Sequence, residues 1–176
     1  TIRGSLKATH EIFVCEMGAK WVGDIKELCD IVHPHHGIIT SIGPQHLESF
    51  KTLDAIKGTK FELADALPED GMLFLNGDDE NIASYKGDRK HISYSLENGD
   101  YSAYDISVSE RGTTFTVKAP DGETQEFSTK LIGRHNVLNI VGAIAVSHKM
   151  GIELKDLRSA VRKLEGVPHR LQLSDK

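Results

Sequence analysis

The first half of the chain alternates short apolar runs with stretches whose apolar residues recur at helical spacing. Residues 12–16, 37–42 and 72–76 are short apolar runs that each predict a buried strand. Between them, the periodicity of residues 24–33 and 53–67 predicts two helices. The order strand, helix, strand, helix, strand is typical of a parallel sheet that is covered by helices.

The pattern changes near His91, where short segments with alternating polar and apolar positions follow one another. These segments are 92–96, 103–109, 113–118 and 124–129. They predict an antiparallel β-meander inserted into the α/β domain. A helix that is apolar on nearly all sides follows at 137–146, and an amphipathic helix follows at 154–164. We therefore divide the chain into an α/β part at 1–90, a meander at 91–131 and a helical part at 132–176.

The composition narrows the classes of function. With 176 residues, 39% apolar and 27% charged, the chain is typical of one globular domain. The net charge of −5 argues against nucleic-acid binding through a basic face. The sequence has neither an apolar run of membrane-spanning length nor the layout of a signal peptide, so we expect a cytoplasmic protein. Cys15 and Cys29 lack the spacing of metal ligands, which favours reduced thiols.

Residues that follow the predicted strands are the candidates for chemistry, because ligands bind at the carboxyl ends of parallel strands. Glu16 ends the first predicted strand, His46 follows the second, and Lys60 lies on the next helix. A carboxylate and an imidazole at this edge could hold a divalent cation. Taken alone, however, a Glu after a strand is usually a helix cap or a solvated group, and a His in a turn is usually only hydrogen-bonded. The histidine-rich run 33–36 precedes a strand, at the opposite end of the sheet, and predicts a loop rather than a metal site.

Motif rules alone do not predict a nucleotide site. The sequence contains neither the Gly-x-x-x-x-Gly-Lys-[Ser/Thr] phosphate loop nor the Gly-x-Gly-x-x-Gly dinucleotide motif. On these rules the chain is an α/β domain with a candidate metal site.

An ordered set of motifs adds a resemblance. In chain order the set is Glu16-Met17-Gly18-Ala19, Gly23-Asp24-Ile25, the run from Pro34 to Glu48 with Gly-Pro-Gln-His-Leu-Glu at its end, Lys60-Phe61-Glu62-Leu63, Leu75-Asn76-Gly77-Asp78-Asp79 and Gly133-Arg134-His135-Asn136-Val137-Leu138-Asn139. Over nearly the whole chain this set resembles the central, ATP-binding domain of the Mur ligases. The spelling of the first two motifs and of His46-Leu47-Glu48 is most similar to the MurF branch of that family.

The resemblance implies roles for the candidate metal residues. Glu16 and His46 match the family's Mg²⁺ ligands, and Lys60 matches a lysine that is carbamylated by CO₂. A free ammonium would repel Mg²⁺, whereas a carbamate turns the same side chain into an anionic oxygen ligand. These three residues are therefore the expected catalytic and metal-binding set.

The resemblance also implies ATP as the nucleotide. His135, Asn136 and Asn139 match the segment that contacts the adenine, and Arg170 matches an arginine on the phosphate side. The family reaction transfers a phosphoryl group from ATP to a carboxylate, and an amine then attacks the acyl phosphate to give an amide. In the MurF branch, D-alanyl-D-alanine is joined in this way to UDP-N-acetylmuramoyl-tripeptide (UDP-MurNAc-tripeptide), a step of peptidoglycan synthesis in cell-wall formation.

The sequence also departs from the family. The phosphate loop and its strand, the N-terminal UDP-binding domain and the C-terminal domain are not in this sequence. We therefore expect a fragment without ligase activity and with at most weak ATP affinity, which micromolar Mg-ATP binding in calorimetry would refute. The missing strand would leave an apolar sheet edge, through which the chain could self-associate.

Two other functions stay open from the sequence. The first is another amide ligase of the same superfamily, such as the MurE, MurC or MurD branches or folylpolyglutamate synthase. The second is a non-catalytic binding domain that descends from such an enzyme.

Overall fold

The computed structural model describes residues 7–166, which form one sheet with helices against it. The strands are β1 (His36–Ile39), β2 (Met72–Asn76), β3 (His91–Ser95), β4 (Tyr101–Ser109), β5 (Gly112–Lys118) and β6 (Thr124–Thr129). The helices are α1 (Asp24–Val32), α2 (Leu47–Phe50), α3 (Leu53–Ala66), α4 (Glu80–Ala83), α5 (Arg134–Lys149) and α6 (Leu154–Arg162). Among residues 7–166, no helix is both long and apolar enough to cross a membrane.

The six strands lie side by side in chain order. Strands β1 to β4 pair in parallel, and β4, β5 and β6 pair antiparallel. This arrangement confirms the predicted fold class, a mostly parallel sheet with an antiparallel segment and flanking helices. It places the carboxyl ends of β1, β2 and β3 at one edge of the sheet.

Strand β2 forms the centre of the core because both of its faces are covered. Leu73 and Leu75 pack with residues of α3 in one apolar cluster, whereas Met72 and Phe74 pack with α5 in another. All five residues of the strand are buried, which explains why its sequence is continuously apolar up to Asn76.

Two helices show how local sequence defines element ends. Helix α3 begins after Thr52, whose hydroxyl accepts a hydrogen bond from the Ala55 amide. Helix α5 begins after Gly133, which has a φ of 104°. A left-handed backbone of this kind favours glycine.

Three sequence-based expectations need correction. Residues 12–16 form no strand, and Ile12, Phe13 and Val14 are exposed, because no strand of the described chain pairs with their backbone. Strand β1 ends at Ile39 rather than at residue 42, because the side chains of Asn76, at the end of β2, and Asp79, in the loop after it, bond to the backbone of Thr40 and Ile42 in place of a strand neighbour. Strand β3 pairs in parallel with both neighbours, so it extends the parallel sheet and does not belong to the meander.

Candidate functional site

The carboxyl ends of β1, β2 and β3 are joined by a network of polar side chains. Asn76, the last residue of β2, donates from Nδ2 to the Thr40 carbonyl at 2.8 Å. Asp78 accepts from the Leu96 amide, just past β3, at 2.8 Å. Asp79 accepts from the Ile42 amide at 2.9 Å. The loop after β2 therefore holds the loops that follow both neighbouring strands.

His46 lies in the loop after β1, where it precedes helix α2. Its backbone is left-handed, with φ 52° and ψ 38°, and its carbonyl accepts from the amides of Ser49 and Phe50 at 3.0 Å. The imidazole is about half exposed, and its Nδ1 lies 3.7 Å from Oε1 of Glu48. The pKa of Glu48 is lowered, chiefly by its own backbone amide and more weakly by His46. A partly exposed imidazole beside a carboxylate provides two donors of the kind that bind divalent cations.

Lys60 and Glu16 occupy different environments. Lys60 is half-buried on α3, next to Thr59, whose buried hydroxyl has no hydrogen-bond partner among residues 7–166. Glu16 is exposed in the irregular segment before α1. In the part of the chain that the structure describes, no hydrogen bond or ion pair joins any two of Glu16, His46 and Lys60. The same residues 7–166 hold no group of three His, Cys, Asp or Glu side chains that could bind a metal ion.

The side-chain chemistry of Glu16, His46 and Lys60 is compatible with Mg²⁺ only if Lys60 carries a carbamate. One carboxylate and one imidazole supply two protein ligands, and an unmodified ammonium supplies none. A carbamate on Lys60 would add a third, anionic ligand, and nucleotide phosphates and water would supply the remaining oxygens. The assignment of Glu16, His46 and Lys60 to a cation site stays a prediction.

The predicted adenine segment lies on the first turns of α5. His135 and Asn139 are exposed one helical turn apart, so they share one face of the helix. Asn136 is half-buried and donates from Nδ2 to the Ile132 carbonyl at 2.9 Å, which leaves its side-chain oxygen available as an acceptor. Arg170 lies outside the described residues.

Two residues that support these segments were given no role by the sequence. Glu62 on α3 accepts from the amides of Gly23 and Lys26, at 3.0 and 2.9 Å, and so joins the start of α1 to α3. Thr113 on β5 donates to the Leu131 carbonyl at 2.8 Å and accepts from the Gly133 amide at 3.4 Å. These contacts fix the loop that leads into α5. The motif containing Glu62 was recognised in the sequence, but nothing there indicated its partners.

The fold and the strand-end site define an α/β domain whose ligand edge lies at the carboxyl ends of parallel strands. The model of the Mur ligase middle domain matches residues 1–147. The chain therefore belongs to the Mur ligase family, as the middle domain.

Individual relatives agree with this assignment. The UDP-N-acetylmuramoyl-tripeptide–D-alanyl-D-alanine ligase of Escherichia coli K12 is 32% identical over 171 residues, which is 94% of this chain and 38% of the relative. A crystal structure of MurF from Acinetobacter baumannii superposes with a TM-score of 0.88 at 28% identity, covering 97% of this chain and 38% of that one. MurF ligase from Thermotoga maritima, in complex with ADP, gives a TM-score of 0.78 at 25% identity over 91% of this chain and 37% of that one. The chain thus spans well under half the length of these proteins.

Proposed function

We propose that this chain is the ATP-binding middle domain of a ligase that joins D-alanyl-D-alanine to UDP-MurNAc-tripeptide in the cytoplasm. The observation that carries the proposal is the similarity to the E. coli ligase of that name, which extends over 94% of the chain. The strand-end site supports it, because phosphoryl transfer needs a polar edge at which a nucleotide can be positioned.

In the proposed reaction, ATP phosphorylates the substrate carboxylate, the amine of D-alanyl-D-alanine attacks the acyl phosphate, and phosphate leaves as the amide forms. Bound Mg²⁺ would neutralise negative charge on the phosphates of ATP. Glu16, His46 and a carbamylated Lys60 would hold the cation. The exposed face of α5 with His135 and Asn139, together with Asn136, would contact the adenine, and Arg170 would approach the phosphates.

The role of Lys60 provides the sharpest test in a ligase that contains this domain. We expect Lys60→Ala to lower kcat by about a hundredfold or more, because a cation ligand is lost. Added short carboxylic acids should restore part of the activity by replacing the carbamate. Lys57→Ala is the matched control, because Lys57 lies on the same helix and, among residues 7–166, its Nζ bonds only to the Ser84 hydroxyl, at 3.1 Å. Full activity of Lys60→Ala would contradict the proposal.

The nucleotide part can be tested on the 176-residue chain itself. In a titration with Mg-ATP monitored by NMR, we expect the amide signals of His135, Asn136 and Asn139 to shift most. The same titration with Mg-GTP is the control for base recognition. Shifts confined to other parts of the chain would contradict the adenine assignment. Self-association through β1, which is an edge strand of the sheet formed by residues 7–166 and carries the partly exposed Ile38, also stays a proposal, and sedimentation would test it.

A further inference from the structure

The loop that carries His46 is held by side chains from the loop after β2 and from helix α4, which follows that loop. We propose that Asp79 and Asn81 are positioning residues for His46, through the contacts that they make with the peptide groups of Ile42. The inference rests on the proposed function, in which His46 is a ligand of the cation that accompanies ATP.

Both peptide groups of Ile42 are bound by this pair. The Ile42 amide donates to Oδ2 of Asp79 at 2.9 Å, and the Ile42 carbonyl accepts from Nδ2 of Asn81 at 2.9 Å. The Ile42 side chain is 2% exposed. Ile42 is therefore fixed in its backbone and in its side chain, only four residues before His46.

The segment between Ile42 and His46 has little freedom left. The Gln45 amide bonds back to the Gly43 carbonyl at 2.8 Å, and Pro44 lies between them. Beyond His46, the buried Phe50 holds the short helix α2 against the core. A segment anchored at both ends keeps the left-handed backbone of His46, an uncommon conformation for a residue with a side chain.

The two oxygens of Asp79 have separate partners. Oδ2 accepts from Ile42, whereas Oδ1 accepts from the amides of Asn81 and Ile82 and so caps helix α4. An amide side chain has one acceptor oxygen and one donor group. Asp79→Asn can therefore keep the cap of α4, but it then places an NH₂ group against the Ile42 amide. This near-isosteric change removes the contact with the His46 loop and spares the helix.

Asn76 and Asp78 extend the same connection. Asn76 holds the Thr40 carbonyl and also accepts from the Asp78 amide at 3.0 Å, and Asp78 in turn holds the Leu96 amide after β3. The contacts of Asp79 and Asn81 with Ile42 are therefore part of a hydrogen-bonded unit that spans the ends of β1, β2 and β3. A rigid support of this kind is what a ligand loop requires if its geometry is to be fixed before the ligand binds.

The test uses the 176-residue chain and Mn²⁺ alone as the probe. Hydrogen exchange of the Ile42 amide reports whether its hydrogen bond to Asp79 is intact. Paramagnetic broadening of the His46 ring signals reports cation binding. We expect Asp79→Asn to accelerate exchange at Ile42 by about tenfold or more. It should also raise, by about tenfold, the Mn²⁺ concentration that broadens the His46 ring by half. Glu80→Gln, the same change at the adjacent exposed residue, should alter neither readout.

Each outcome has a separate meaning. If Asp79→Asn accelerates exchange at Ile42 but leaves the Mn²⁺ response of His46 unchanged, the positioning role is wrong while the cation site stands. If Mn²⁺ does not broaden His46 in the unmodified chain, the cation site of the proposed function is wrong, and the positioning role falls with it. Asn81→Asp removes the donor to the Ile42 carbonyl instead, and it serves as the second variant if Asp79→Asn does not fold. An unchanged His46 response in that variant would equally contradict the proposal.

Discussion

Gly142 lies in the middle of helix α5, where the helix packs against side chains of the sheet strands β1 and β3. Helix propensity alone predicts that Gly142→Ala stabilises the protein by about 1 kcal/mol. The structure predicts the opposite sign. A Cβ atom at this position would lie 2.9 and 3.0 Å from two ring carbons of Tyr94 and 3.3 Å from Cδ1 of Ile38.

The Tyr94 ring has no room to move away. Tyr94 is 1% exposed, and its hydroxyl donates to the Ile39 carbonyl at 3.4 Å. Overpacking of a well-packed core costs about 1–3 kcal/mol, and contacts at or below 3.0 Å with a rigid ring favour the upper part of that range. After the gain in propensity is subtracted, we expect Gly142→Ala to lower the free energy of unfolding by about 1–2 kcal/mol.

Gly58 on α3 provides the matched control. A Cβ atom there would meet nothing within 4 Å, so Gly58→Ala should raise the free energy of unfolding by about 1 kcal/mol. Both variants can be compared by urea denaturation followed by circular dichroism, with the slope of the transition checked for a constant denatured state. An increase in the urea midpoint for Gly142→Ala, as for Gly58→Ala, would show that α5 does not pack on Tyr94 as closely as described.

The remaining predictions concern a tyrosine and the two thiols. The Tyr101 hydroxyl and Nδ1 of His148 lie 2.9 Å apart, so Tyr101→Phe should lower the free energy of unfolding by about 1 kcal/mol in urea denaturation. Burial raises the pKa of Tyr101 to about 12, whereas the pKa of a tyrosine in the unfolded chain is about 10. The folded state therefore holds this proton more tightly, and its contribution to stability should be complete below pH ~10 and lost as the pH rises towards ~12. Tyr101→Phe should flatten that decline, and an identical pH profile would contradict the assignment. Burial also raises the pKa of the Cys29 thiol, so a thiol reagent should modify the half-exposed Cys15 first and Cys29 only on unfolding. Equal rates for both cysteines would contradict the packing of α1.

The parts of the fold that were predicted correctly are those whose local sequence alone is sufficient to define the element. Strand β2 is a short apolar run between Gly71 and Gly77, a pattern that by itself predicts a buried strand. Helix α3 combines a Thr cap, helical periodicity and a terminating Pro68, and its predicted end was wrong by one residue. Neither prediction depends on which segment lies alongside.

The errors arose where the answer depends on a neighbour. An alternating segment such as β3 looks the same in a parallel and an antiparallel pair, so its place in the parallel sheet could not be predicted from periodicity. Residues 12–16 have the composition of a strand, but a strand also needs a partner for its backbone, and residues 7–166 provide none. Neither error could be corrected by a closer inspection of the segment itself.

The same distinction between local signals and contacts with distant segments applies to the candidate site. Residues with a motif, such as His46 and Asn136, could be named from the sequence. The contacts of the supporting residues Asp79, Glu62 and Thr113 could not be predicted, although Asp79 and Glu62 lie in recognised motifs, because each binds backbone groups of a segment that is at least eighteen residues away in sequence. Asp79 caps a helix with one carboxylate oxygen and binds a distant amide with the other. Its sequence context indicates only the cap. The second contact exists only once the sheet has brought the ends of β1 and β2 together, and it is this contact that ties the geometry at His46 to the fold.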